Sequence, residues 1–161
     1  MCQAFLVAIN EQPMTTASRV AEYFLVLQDE DAGDLISNLK LQKLLYYAQG
    51  LCIGTMGRRL FNEKIFAWTH GPVVPFIYHK YKVFGANAIP MPEDFDQSTI
   101  ANGTKGFLKE VYRVFGQFSA WKLRNMTHNE PPYQKFQKTQ GEITVQAMKA
   151  YFSQFKTGEK Q

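Results

Sequence analysis

Histidine and cysteine are the first residue types to examine for chemistry. His70, His79 and His128 carry imidazoles whose ordinary pKa suits proton transfer near neutrality. His79 lies in a Tyr78-His79-Lys80-Tyr81 run and reads as a surface or interface side chain. His70 and His128 flank helix ends, where an imidazole bonds terminal backbone groups and holds a turn. No nucleophile or carboxylate is spaced as their partner, so an acid–base enzyme built on His70 and His128 stands second to that structural role. Cys2 and Cys52 share no metal-ligand or redox spacing, and Cys52 falls on an apolar helix face as a small hydrophobe. The chain has no phosphate loop, no G-x-G-x-x-G, no Gly-x-Ser-x-Gly elbow, no H-E-x-x-H and no paired CxxC. The expectation is therefore no catalytic residue, no cofactor and no metal.

Two segments carry the remaining polar and aromatic interest. In Leu41-Gln42-Lys43-Leu44-Leu45-Tyr46-Tyr47-Ala48-Gln49, Leu41, Leu44 and Leu45 need only a core explanation. Lys43 beside two tyrosines suits cation–π or hydrogen-bonding contacts, although a lysine is ordinarily solvated. In Ala67-Trp68-Thr69-His70-Gly71-Pro72-Val73-Val74, a Trp precedes a Gly-Pro turn and Tyr78 follows. Loops between rigid helices commonly carry binding function, and aromatic anchors dominate binding energy when they fill partner pockets. The expected partner-binding surface is thus the turn from Trp68 to Tyr78, with Lys43, His70 and His128 at its rim. The competing surface is the C-terminal helix, through Tyr151 and Phe155.

The elements that must position these residues follow from periodicity. A first helix spans about Ala17 to Gln28, with Thr15 or Thr16 as N-cap. A second, capped by Ser37 or Asn38, carries Leu41, Leu44, Leu45, Ala48 and Leu51 at helical spacing, with Gly50 and Gly54 crowding its end. Leu60–Phe61 and Ile65–Trp68 then form a small hairpin around Asn62-Glu63-Lys64. Gly71-Pro72 opens a third helix that ends before Gly85. Residues 86–101 read as a loop, and a fourth helix follows from about Thr104 to Phe115. Ser119 caps a fifth helix to about Met126, and Pro131-Pro132 forces an extended break. The last helix starts near Thr144, with Val145, Met148, Phe152 and Phe155 on one side. Leu41, Leu45, Trp68 and Val111 should share one core.

Composition fits that picture. The chain of 161 residues is 45% hydrophobic, 14% aromatic and 20% charged, which argues against intrinsic disorder. The net charge of +4 is a mild excess, not a stripe that neutralises a run of phosphates. A weakly basic nucleic-acid-binding regulator, through Lys135, Lys138, Lys149, Lys156 and Lys160, is accordingly a lesser alternative. The opening apolar run Phe5–Ile9 has no basic n-region and is shorter than the roughly 7–15 residues of a secretory h-region. No segment approaches a membrane span, so a cytoplasmic location without membrane contact is expected. The reading is an all-α single domain of about six helices with at most one small hairpin. It divides into an irregular arm at residues 1–13, a helical domain at 14–157 and a tail at 158–161.

The two singled-out segments, taken in order with others, resemble the signatures of the Panacea domain, a phage-associated, SocA-like antitoxin family. The resemblance extends to Leu60-Phe61, to Val111 and Tyr112, to Ser119-Ala120 with Leu123, and to Thr127-His128 before Pro131-Pro132. It runs from about Thr15 to Phe155, and the Ala67-Trp68-x-x-Gly71-Pro72-Val73-x-x-x-x-Tyr78 spacing is its most specific part. Tyr133 stands where relatives often carry Trp. The resemblance implies a mostly helical protein of bacteria, prophages and mobile elements that neutralises a cognate toxin by direct binding. For some members it also implies delivery of the toxin to a cellular protease. It brings no enzymatic residues.

Overall fold

The fold is organised around one helix that is buried on every side. In the computed structural model, which describes residues 13–29 and 35–156, α2 (Asn38–Met56) has only Leu39 and Met56 outside the buried set. Such a helix must satisfy its polar side chains internally, and those side chains are what tie the rest of the fold to it. Ser37 caps its start by accepting from the Lys40 N–H at 3.3 Å, and Gly57 ends it in the left-handed region.

Six further α-helices of the described residues surround it: α1 (Ala17–Leu27), α3 (Pro75–Tyr81), α4 (Asn102–Phe115), α5 (Ala120–His128), α6 (Pro131–Phe136) and α7 (Val145–Phe152). The expected N-caps Thr16 and Ser119, and Thr144 at the start of α7, accept from the Arg19, Lys122 and Ala147 N–H groups, because a hydroxyl replaces a missing helical acceptor at each start. Gly50 and Gly54 do not end α2. They let α7 approach it, since a Cβ on Gly50 would stand 2.2 Å from the Phe152 ring and one on Gly54 would stand 2.3 Å from the Phe152 carbonyl carbon. Leu41, Leu45 and Val111 are fully buried in the shared core as expected, as is Cys52.

The β structure differs from expectation. β1 (Ile65–Trp68) pairs antiparallel with β2 (Gly71–Val73) in the register Phe66↔Val73, Ala67↔Pro72, Trp68↔Gly71. Its other edge pairs with β3 (Glu142–Ile143), so the sheet order is β2-β1-β3. Leu60 and Phe61 do not join it because Gln49 of α2 takes their backbone groups. Gln49 Oε1 accepts from the Leu60 and Phe61 N–H groups at 2.7 and 3.3 Å, and Nε2 donates to the Phe61 carbonyl at 2.7 Å.

The helices also differ in detail. Gly71-Pro72 is strand, and α3 begins at Pro75, whose missing N–H costs nothing in a first turn. A 3₁₀ turn over Lys82–Phe84 carries α3 up to Gly85. Pro131 and Pro132 start a helix rather than breaking the chain, for the same reason. In α7 the core is met from Met148 onward, and Val145, in the first turn, is 40% exposed. The expected arm at residues 1–13, except residue 13, lies outside the described residues. So do the tail at 158–161, Lys160 and Cys2.

Candidate functional site

The turn between β1 and β2, the side of α3 and the start of α5 enclose one cleft of about 410 Å³. Lys43, Trp68, His70 and Tyr78 all line it, so the structure brings four of the five sequence-predicted contact residues together. Thr69, Lys82, Trp121 and Gln140 complete its rim, and among the described residues none that lines it is acidic.

Each side chain is held by an identifiable local cause. α2 supplies the floor. Gln42 Oε1 accepts from the Val74 N–H at 2.9 Å, Gln42 Nε2 donates to Asn38 Oδ1, and Asn38 Nδ2 donates to the Tyr78 carbonyl. This chain of buried amides fixes α3 and β2 on α2. Trp68 is half-buried rather than a core member. It ends β1 at the cleft edge and packs edge-on against Tyr78, ring centroids 5.3 Å apart. His70 is exposed and tilts toward Trp121 at 6.1 Å. Trp121, itself 56% exposed, carries the Arg124 guanidinium over its ring at 4.8 Å.

Lys43 sits beneath the turn with no exposed surface. Its Nζ donates to the Pro72 carbonyl at 3.2 Å, and no carboxylate among the described residues pairs with it. Burial, and next the positive charge of Arg124, hold its ammonium down to about 7. Gly71 covers it. With φ at +110° a side chain would be strained there, and a Cβ would stand 2.4 Å from Lys43 Cε. Glycine is therefore required twice over, by conformation and by contact. Pro72 supplies the acceptor and Val73 lines the wall, while Leu41, Leu44 and Leu45 are core.

His128 does not line the cleft. It braces the turn from behind, with Nδ1 2.9 Å from the Arg124 carbonyl and Nε2 3.2 Å from the Thr69 carbonyl. Tyr133 adds to the brace by donating to the Trp68 carbonyl at 2.6 Å. The geometry does not pair His70 with His128, since both ring nitrogens of His128 meet backbone carbonyls and no carboxylate of the described residues lines the cleft. Among the described residues no group of three His, Cys, Asp or Glu could hold a metal ion.

A second buried charge lies further along the same ridge of α2. Tyr46 and Tyr47 donate to the two oxygens of Glu130 at 2.9 and 2.6 Å, and Tyr151 bonds the same carboxylate. Burial pushes Glu130 up to about 7, against the opposing pull of the three tyrosine hydrogen bonds. The tyrosines are pushed up in turn, Tyr151 to about 12, by burial first and then by that carboxylate. Sequence reading passed over Glu130, Trp121 and Arg124. The available signal for the last two was the i, i+3 spacing of an aromatic and an Arg on one helix face.

The stretch that carries the cleft's Lys43, its roofing turn and α5 is also the part of the chain that known proteins match. The family described as "Antitoxin SocA-like, Panacea domain" matches residues 41–134, and the chain belongs to it. Among curated proteins, Antitoxin SocA of Caulobacter vibrioides (strain NA1000 / CB15N) is 38% identical over 82 residues, covering 50% of this chain and 43% of that protein. The match thus spans less than half of the relative's length. No solved structure matches significantly. No helix of the described residues is long and apolar enough to cross a membrane.

Proposed function

We propose that this domain is a non-enzymatic antitoxin module that neutralises a cognate toxin protein by direct binding, with the cleft under the Trp68–Tyr78 turn as its contact surface. The observation that carries the reading is the family match over residues 41–134, which contains Gln42 and Lys43 of the cleft floor, the turn and α5. Lys43, Trp68, His70 and Tyr78 form the contact, and His128 holds the turn in shape. The cleft joins exposed aromatics to fixed backbone, the combination that makes binding hot spots. Delivery of the captured toxin to a cellular protease is a further step of the same reading. The exposed lysines of the C-terminal third, Lys135 and Lys149 among them, act as a solvated face.

Co-expression with the product of the adjacent gene tests this. The expected outcome is growth rescue by the wild type, and loss of rescue on His70→Ala or Trp68→Ala with thermal stability retained. A toxic neighbour that is neither bound nor neutralised overturns the function. The site assignment fails if the cleft variants neutralise fully while substitutions in the groove of about 440 Å³ between α6 and α7, such as Tyr151→Ala, abolish binding.

A further inference from the structure

The elements that border the cleft carry charge of one sign. α2 holds no acidic residue, and neither do residues 64–92, which contain the turn and α3, or residues 111–129, which contain α5. Lys82 lines the cleft. Lys80, two residues before it, and Lys122, which follows Trp121 in α5, are exposed. The interior is different. Gln42 and Asn38 use both ends of their amides, on the Val74 N–H, on each other and on the Tyr78 carbonyl. Thr69 Oγ1 accepts from Gln140 Nε2 at 3.0 Å. Lys43 lies beneath Gly71 and Pro72 with no exposed surface, out of a partner's reach. What the interior offers is aromatic, namely the packed Trp68–Tyr78 pair and Trp121. Trp121 is already held by the Arg124 guanidinium stacked on its ring, so little freedom is lost there on binding. Exposed apolar surface continues outside the cleft at Phe76 of α3 and at Val83.

We propose that the cleft is a receptor for an aromatic side chain carried in an acidic segment of the partner protein. The ring enters against the Trp68–Tyr78 pair and Trp121, and carboxylates on either side of it meet Lys82, Lys80 and Lys122. This rests on the reading of the cleft as the toxin contact and adds the chemistry that the toxin presents. An apolar anchor fits because the interior polar groups are already bonded, so a polar group entering would lose hydration without return. A ring fits better than an aliphatic chain because aromatic pairs gain from edge-to-face and offset packing. The volume of about 410 Å³ lies at the small end of ligand pockets, which suits an inserted side chain. An acidic flank fits because complementary potentials steer encounter and reject like-charged partners. A nucleic acid fits less well, since three lysines on two elements make no track for successive phosphates.

The chain provides its own reporter. It has two tryptophans, Trp68 and Trp121, and both line the cleft, so intrinsic fluorescence reads this site. The full chain is titrated with an N-acetylated, C-amidated pentapeptide of phenylalanine flanked on each side by two glutamates. Three further probes are the same peptide with alanine for phenylalanine, the same peptide with glutamines for glutamates, and a short oligothymidylate. A saturable fluorescence change is expected with the first peptide. The alanine peptide should bind weaker by roughly tenfold or more, as the loss of a buried ring requires. The glutamine peptide should bind weaker by roughly three- to tenfold, a gap that closes in high salt. Trp121→Ala should weaken the first peptide, read by calorimetry because the change removes one reporter. Lys82→Gln should shrink the glutamate preference. Both positions are exposed, and unchanged thermal melting confirms that the variants fold. Equal binding of the phenylalanine and alanine peptides overturns the aromatic anchor, and equal binding of the glutamate and glutamine peptides overturns the acidic flank. No saturable response overturns the receptor altogether, and oligothymidylate binding tighter than the first peptide overturns a protein as the partner. A toxin-neutralisation assay on the two variants separates the readings. Full neutralisation by variants that have lost peptide binding removes the receptor from toxin recognition and keeps the antitoxin. Peptide selectivity in a wild-type protein that neutralises nothing keeps the receptor and removes the toxin as its partner.

Discussion

Lys43 and Glu130 are both buried against α2, and the fold treats them in opposite ways. Lys43, Tyr46 and Tyr47 are spaced i, i+3, i+4 and share one ridge of the helix. Toward α6 and α7 that ridge ends in a carboxylate with three hydroxyl donors around it. Toward the β1–β2 turn it ends in an ammonium with a single carbonyl acceptor, facing a cleft. A closed set of hydrogen bonds rigidifies the place it occupies, and a half-filled set leaves donors for something else. The contrast assigns stability to the Glu130 side and recognition to the Lys43 side.

The scale for breaking that contrast is set by Leu45, a fully buried core residue of the same helix. Leu45→Ala should lower stability by about 2–5 kcal/mol in a denaturant titration. Glu130→Gln should follow, with a loss of roughly 1–3 kcal/mol, because one tyrosine hydroxyl then meets an amide donor instead of a carboxylate oxygen. If Glu130→Gln unfolds at the same denaturant concentration as the wild type, the tyrosine nest is not structural and the comparison collapses.

How much of this was legible before the structure depends on whether the deciding contact is local. The caps Thr16, Ser37 and Ser119 are local chemistry, and so is the leucine ridge of α2; both were read correctly. The hairpin was misread because its determinants are distant. Gln49 claims the backbone of Leu60 and Phe61 from another element, and the third strand comes from residues 142–143. Pro72, which reads as a helix opener, sits in a strand here because β2 is at the sheet edge, where proline is tolerated. In the cleft, Trp68, His70 and Tyr78 were visible together since one turn carries them. Trp121 and Arg124 arrive from α5, and no pattern near the turn announces them. The least legible feature was the depth of Lys43, because a lysine between leucines and tyrosines ordinarily reaches solvent along its stem.

The smallest loss is expected at Lys43 itself, and pH gives its sign. In the unfolded chain Glu130 titrates near its ordinary 4.5, and in the fold near 7. Between those values the folded state keeps a proton that the unfolded state has released, so Glu130 makes stability fall as pH rises through that window. Lys43 ordinarily titrates at 10.5, and in the fold near 7. Between 7 and 10.5 the folded state has released a proton that the unfolded state keeps, so Lys43 makes stability rise with pH there. The two limbs meet near neutrality. Glu130→Gln should flatten the acid limb alone and Lys43→Met the alkaline limb alone, as read from denaturation midpoints across the range. At pH 7 Lys43→Met exchanges one hydrogen bond to the Pro72 carbonyl for relief of a buried, under-bonded ammonium. Replacing a buried charge with an apolar side chain of similar length is often neutral or stabilising, so we expect no loss of stability from it at that pH. A Lys43→Met protein that is clearly less stable than wild type at pH 7 would make the ammonium a strut of the turn. Lys43 would then belong with Glu130, on the structural side.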